Sequence, residues 1–282
     1  MRALRFAVIG DPVSHSKSPA MHNAAFRSLG IPHRFEARPT SVDDLPIVID
    51  QLRGGIFEGL SVTVPHKQRV LSLVDLLDDS ARVAGAANTL ARREDGWLTA
   101  YNTDAPALAE ELTRVSAGGL AGKETRALVL GSGGAARAAI VALRVHLGIR
   151  DVVVRARSFG DASKGQAFAS TAPCPVTLQS WVASRDSEER TLAVVQCTSA
   201  GMQGAEPGSA VADVVDWKAL PAEAIALDVV YAPRDTPWLG AARSRGLRCD
   251  DGLGMLARQG ALAWQLWLGM SAPLGVMRAA LG

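Results

Sequence analysis

Neither sign of charge prevails in this chain: 30 basic residues stand against 28 acidic ones, a formal charge of +2 over 282 residues. That balance leaves no electrostatic footprint for nucleic acid or an anionic membrane. Cysteine is scarce. Cys174, Cys197 and Cys249 are scattered without Cys-x-x-Cys spacing, which argues against a disulfide framework or a zinc site and for reduced, intracellular thiols. The five histidines (His15, His22, His33, His66 and His146) have no metal-ligand spacing, so no metal is expected. Long apolar runs are also lacking: residues 138–147 are too few to cross a bilayer and include Arg144. The first apolar run stops at Gly10-Asp-Pro12, unlike a signal peptide. The expectation is a cytoplasmic protein with a small-molecule partner, no nucleic acid and no membrane.

What is present is ordinary for a globular protein, with 48% hydrophobic and 21% charged residues. The length suits two domains. Strand-like and helix-like patterns alternate. Strands are expected at residues 6–9, 35–37, 59–64 (ended by Pro65), 86–92, 126–130, 151–155, 192–196 and 224–229. Helices are expected at 19–29 with Gly30 as its cap, at 42–53 and 70–77, from Pro106 through Val115, and at 134–147, 255–267 and 271–281. This alternation argues for an α/β fold with mainly parallel sheets.

Gly131-Ser-Gly-Gly-Ala135 follows the apolar run Ala127-Leu-Val-Leu130 and opens an alanine-rich helix. In that context Gly131 permits a tight turn. Gly133 and Gly134, with Ser132 and Ala135, let a pyrophosphate approach backbone N–H groups at a helix start. The plain alternative is a structural turn that binds nothing. At the end of the next strand stands Arg155-Ala-Arg157-Ser158, where NAD sites usually carry an acid. Two arginines one residue apart face one side of an extended segment. Their guanidinium groups and Ser158 suit a 2′-phosphate, which favours NADP. Asp161 keeps NAD open.

In the first half, Ser16 and Ser18 precede a helix and could hold a carboxylate, or Ser18 could simply cap that helix before Pro19. Lys67 closes Ser61-Val-Thr-Val-Pro-His-Lys67, and Asp104 closes Tyr101-Asn-Thr-Asp104. With Asn88, Thr89 and Asn102 they form a polar set suited to a polyhydroxylated substrate and proton transfer. Taken singly, a surface lysine and turn-forming Asn and Asp are the commoner fates. Each polar cluster, however, falls near the carboxyl end of an expected strand, where open α/β sheets bind ligands. His66 would face away from Lys67 and is not expected to be the acid.

Taken in order, these segments resemble the shikimate dehydrogenase family. The match includes Gly10-Asp-Pro-Val-Ser-His-Ser-Lys-Ser-Pro19, the Lys67 segment, Gly85-Ala-Ala-Asn-Thr-Leu90, the Asp104 segment and the glycine loop. It continues through Cys197-Thr-Ser-Ala-Gly201, Asp228-Val-Val-Tyr231, Thr236-Pro237, Asp251-Gly-Leu-Gly-Met-Leu256 and Gln259. The resemblance implies NADP-linked interconversion of 3-dehydroshikimate and shikimate in aromatic amino acid biosynthesis. It implies a substrate domain from residues 1–105 and 250–282, a Rossmann-like NADP-binding domain at 106–249, and an active site in the cleft between them. It implies Lys67 and Asp104 as catalytic pair. Substrate contacts would come from Ser16, Ser18, Thr63, Lys67, Asn88, Asp104, Tyr231 and Gln259. Cofactor contacts would come from Gly131, Ser132, Gly133, Gly134, Ala135, Arg155, Arg157, Ser158, Thr198, Val229 and Gly252.

Four positions depart from the family pattern. Ser61 replaces Asn, Ala156-Arg157-Ser158 replaces Asn-Arg-Thr, and Gln196 replaces Asn. Quinate and aminoshikimate dehydrogenases share the scaffold, and a silent NADP-binding regulator remains an alternative. Ser18, without an extra methyl, favours shikimate over the bulkier quinate. Either a monomer or a homodimer is compatible with the sequence.

Overall fold

A computed structural model describes residues 2–120, 125–182 and 188–282. The chain forms two compact units: Met1–Asp104 with Leu256–Gly282, and Ala105–Met255.

The first unit is built on a six-stranded sheet. Its strands are β1 (Arg5–Gly10), β2 (Arg34–Pro39), β3 (Gly59–Val62), β4 (Leu76–Leu77), β5 (Thr89–Arg92) and β6 (Leu98–Tyr101), ordered β2-β1-β3-β5-β6-β4. The β1, β2 and β3 strands are parallel, whereas β5 runs antiparallel to both β3 and β6. The sheet is therefore mixed. Helix α1 (Ser18–Ser28) has Pro19 in its first turn, where the missing N–H costs nothing, and Gly30 follows its end with φ 64°. Helix α2 (Leu45–Arg53) buries Leu45, Val48, Ile49 and Leu52 at helical spacing against Ile9, Leu60 and Leu90.

Residues 70–77 do not form the expected helix. A short 3₁₀ turn, Arg69–Ser72, gives way to β4, which pairs in parallel with β6. Asp75 holds this corner, since its carboxylate accepts the Leu98 N–H at 2.8 Å and an Arg53 N–H at 2.5 Å. Long-range pairing overrides the local pattern there.

The first unit is completed by α9 (Leu253–Leu268), most of which belongs to it, and α10 (Leu274–Ala279). Trp264 and Trp267 of α9 join Phe6, Phe26 and Phe35 around His22. His22 lies 4.3 Å, centroid to centroid, from the Phe35 ring at an interplanar angle of 11°. Burial in this apolar nest pushes its imidazole down to about 3.

The second unit holds a wholly parallel sheet: β7 (Arg126–Leu130), β8 (Asp151–Ala156), β9 (Thr177–Ser180), β10 (Thr191–Gln196), β11 (Ile225–Asp228) and β12 (Arg248–Asp250). Its order is β12-β11-β10-β7-β8-β9. Renumbered within the unit this is 6-5-4-1-2-3, the doubly wound dinucleotide-binding arrangement. Buried β7, β8 and β10 read as near-continuous apolar runs, as sheets covered on both faces require. Helix α4 (Asp104–Val115) leads into this unit, and α5 (Gly134–Val141) follows β7 and runs on through a π-helical turn, Ala142–His146. Among the described residues no helix is long and apolar enough to cross a membrane.

Candidate active site

In the first unit the polar residues collect at one edge of the sheet. Ser16 follows β1, Thr63 and Lys67 follow β3, and Asp104 follows β6. Asn88 instead precedes β5, but β5 is antiparallel, so its start lies at the same edge as the ends of β3 and β6.

Lys67 and Asp104 meet there. Lys67 Nζ donates to Asp104 Oδ2 at 2.6 Å, with side-chain exposures of 15% and 6%. Asn88 organises the surroundings. Its Nδ2 lies 2.9 Å from Asp104 Oδ1, 2.8 Å from Thr103 Oγ and 3.1 Å from Gln259 Oε1. Its Oδ1 accepts the Thr103 N–H at 2.7 Å. Asp104 is thus fixed through both carboxylate oxygens, by a cation on one side and an amide on the other. It also opens α4, where a negative charge meets the helix dipole favourably. Gln259 is aimed by its own Nε2, which donates to the Leu256 carbonyl at 2.8 Å. Asn102 Nδ2 donates to the Ala86 carbonyl at 2.9 Å, which ties the β5 and β6 ends together. Thr103 is a participant that sequence reasoning did not single out. Its only signal was its place between Asn102 and Asp104.

The remaining residues fall less tightly. Ser16 Oγ accepts the Ser18 N–H at 3.3 Å, and Ser18 does not cap α1 with its side chain. Thr63 crowds Gly10, where any Cβ would collide with its methyl group. His66 is buried and its Nε2–H donates to the Thr40 carbonyl at 2.8 Å, so it is occupied away from Lys67. Tyr231 belongs to the second unit, in the segment after β11.

In the second unit the loop after β7 sits beside the end of β10, where the strand order reverses. Gly131 has φ 113°, and an added Cβ there would stand 3.1 Å from Thr198 Cγ2 and 3.2 Å from the Cys197 backbone. Only glycine meets both demands. Gly133 precedes α5 with no side-chain cap, and the space over its Cα is open. The first N–H groups of α5 therefore remain for an incoming anion. Ser132 Oγ and Ser158 Oγ lie 3.2 Å apart, linking this loop to the end of β8. Thr198 Oγ accepts the Ala200 N–H at 3.1 Å. Gly252 lies so close to the Val229 carbonyl that no Cβ fits, and its N–H donates to the Val230 carbonyl at 3.1 Å. Among the described residues no group of three or more His, Cys, Asp or Glu side chains could hold a metal ion. The open helix start, the glycine cradle and the exposed Arg157 fit a phosphorylated dinucleotide.

Arg155 corrects the sequence reading. It does not face the same side as Arg157 but is buried, donating to Glu188 at 2.6 Å, to Gln179 Oε1 at 2.8 and 3.1 Å, and to the Val214 carbonyl. The strand ends at Ala156, and Arg157 begins a 3₁₀ turn, Arg157–Gly160, which breaks the two-residue alternation and leaves Arg157 exposed. Arg155 serves the core, not a cofactor phosphate.

Asp228 is a second buried carboxylate whose role the sequence did not declare. Its oxygens accept the Thr236 hydroxyl at 2.7 Å and the Val230 N–H at 2.9 Å. Burial pushes its carboxyl up to about 7 against the pull of those donors, and nearby Asp251 adds to the rise. Thr236 in turn caps α8 (Pro237–Ser244) through the Leu239 N–H. One carboxylate thereby fixes both ends of the segment from Val230 to Thr236, which carries Tyr231. An Asp ending an apolar strand, ahead of Thr-Pro, was the available signal.

A parallel sheet with a glycine loop at its switch point defines the class of α/β proteins that bind dinucleotide cofactors, and the second unit places the chain in it. Comparison resolves the family. A model of the shikimate dehydrogenase substrate binding domain matches residues 8–90, and one of the shikimate 5′-dehydrogenase C-terminal domain matches 252–281. The NADP(+) shikimate dehydrogenase of Microcystis aeruginosa is 37% identical over 278 residues, 97% of this chain and 94% of that protein. Among solved structures, the Thermus thermophilus shikimate 5-dehydrogenase in complex with NADP(H) and shikimate is similar with TM-score 0.82, 36% identity and coverage of 99% and 98%. The Corynebacterium glutamicum quinate dehydrogenase in complex with NAD is similar with TM-score 0.84, 29% identity and the same coverage. The chain belongs to the shikimate dehydrogenase family.

Proposed function

We propose that this protein is an NADP-dependent shikimate dehydrogenase, catalysing the reversible reduction of 3-dehydroshikimate to shikimate. The observation that carries the catalytic assignment is the 2.6 Å Lys67–Asp104 pair, held within the Asn88, Thr103 and Gln259 network. NADPH held at the glycine loop would supply a hydride to the substrate's carbonyl carbon. Negative charge then gathers on the carbonyl oxygen. Lys67, as ammonium, stabilises that charge and gives the oxygen its proton, later regaining one from water. Asp104 aims the lysine and accepts from a neighbouring substrate hydroxyl. Asn88 and Gln259 hold further ring hydroxyls, with Thr63 and Tyr231 completing the substrate contacts, and Ser16 and Ser18 take the carboxylate.

Gly131, Ser132, Gly133, Gly134 and Ala135 would hold the pyrophosphate at the start of α5. Arg157 and Ser158 would take the 2′-phosphate. Thr198, Val229 and Gly252 would line the rest of the cofactor site. The substrate domain is residues 1–105 with 250–282, and the cofactor domain 106–249. The three scattered cysteines and the balanced charge support a cytoplasmic enzyme; it acts as monomer or homodimer.

A steady-state assay crossing shikimate, quinate and aminoshikimate with NADP and NAD tests this reading. The highest kcat/KM is expected for shikimate with NADP. A preference for quinate or aminoshikimate would reassign the substrate, a preference for NAD would reassign the cofactor, and NADP binding without turnover on any of the three would indicate a silent regulator.

A further inference from the structure

Arg157 does not stand alone on its turn. Its Nη1 donates to both carboxylate oxygens of Glu206 at 3.0 Å. Its guanidinium carbon lies 5.4 Å from the ring centroid of Trp181, the residue directly after β9. The indole fixes the guanidinium plane by a cation–π contact. The carboxylate takes one edge. Among the described residues, Nε and Nη2 have no hydrogen-bond partner. The Ser132–Ser158 contact places this cation beside the glycine loop, because Ser158 directly follows Arg157.

We propose that Glu206 is a specificity-determining residue of the cofactor site, narrowing the preference for NADP over NAD. The proposal rests on the NADP reading above. A 2′-phosphate needs the full positive charge of Arg157, which Glu206 partly cancels. The incoming phosphate must displace the carboxylate or share the guanidinium with it, and either arrangement leaves two anions close together. A 2′-hydroxyl meets no such repulsion and can donate to the carboxylate, as it does to the acidic residue in NAD sites. Arg157 and Glu206 are both exposed, at 67% and 56%, so the ion pair is weak enough to open for a ligand. Glu206 thus acts as a competing anion and not as a lock.

Dissociation constants measured by isothermal titration at low ionic strength test this without recourse to turnover. The probes are NADPH, NADH and the half-molecules 2′,5′-ADP and 5′-AMP. Glu206→Gln should bind NADPH and 2′,5′-ADP about two- to fivefold more tightly, the range spanned by one exposed ion pair, with no gain for NADH or 5′-AMP. The gain should shrink at high salt. Unchanged or weaker NADPH binding in Glu206→Gln overturns the proposal. Arg157→Ala separates this failure from that of the underlying reading. If Arg157→Ala weakens NADPH but Glu206→Gln does not tighten it, Glu206 alone is misassigned. If Arg157→Ala leaves both 2′-phosphorylated probes unaffected, the 2′-phosphate is not held at Arg157 at all.

Discussion

The two units hold their candidate ligands by different means. In the first, side chains fix one another: Lys67, Asp104, Asn88, Thr103 and Gln259 form one hydrogen-bonded set. In the second, the candidate binding surface is backbone, and the critical residues are those where a side chain would intrude, Gly131 and Gly252. Side-chain networks lose function when a group is removed, whereas backbone cradles lose it when one is added.

Deletion in the first unit should have the largest effect. Lys67→Ala is expected to lower kcat about 10²- to 10⁴-fold, with NADPH affinity unchanged. Near-normal turnover would end its catalytic assignment, and a parallel loss of NADPH binding would erase the division of labour between the units. Asn88→Ala leaves the Thr103 N–H and Asp104 Oδ1 without their partner, and should cost about ten- to a hundredfold in kcat/KM, the worth of hydrogen bonds to a charged group. An unaffected rate would make Asn88 a bystander.

Addition is the matching test for the second unit. Gly252→Ala should destabilise the protein by about 1–3 kcal/mol, because the methyl group has no room against Val229. NADPH binding should weaken while the shikimate KM stays near normal. Normal melting and normal cofactor binding would show that the Val229–Gly252 approach is looser than its geometry implies.

The smallest effects concern pH, and the units should respond with opposite sign. His22 is held neutral in the fold, so its contribution to stability is full above its ordinary value of 6.5 and fades as pH falls toward 3. Asp228 binds its proton more tightly folded than unfolded. Its contribution is full below 3.8 and fades as pH rises through about 7. Melting temperatures across this range should show His22→Phe flattening the acid limb and Asp228→Asn flattening the rise-of-pH limb, each by at most about 1.4 kcal/mol per pH unit. Parallel profiles for both variants and the parent would remove these two groups from the pH response.

The same contrast explains what could be read from the sequence. The glycine loop was legible because its demands are local: an apolar strand, a turn without side chains, then a helix. Lys67 and Asp104 were recognisable as members of an ordered set of motifs, yet Asn88 as their organiser was not. Its partner Gln259 lies 171 residues away. Arg155 was misread because its real partners, Glu188 and Val214, come from distant segments, and because alternation was extended past Ala156 into a 3₁₀ turn. Residues 70–77 had helical spacing, but β4 draws its pairing from β6, which local pattern does not reveal.

Trp267 of α9 donates its indole N–H to the Leu90 carbonyl at 3.0 Å and covers Gly59 so closely that no side chain fits beneath it. The sheet of the first unit is thus finished by residues that follow the second unit in the chain. During synthesis, residues 105–255 emerge as one uninterrupted stretch, while residues 1–104 must wait on the ribosome for their closing helix. The cofactor half can settle first, and the half that would bind shikimate acquires its Gln259 only after the whole cofactor half has been made.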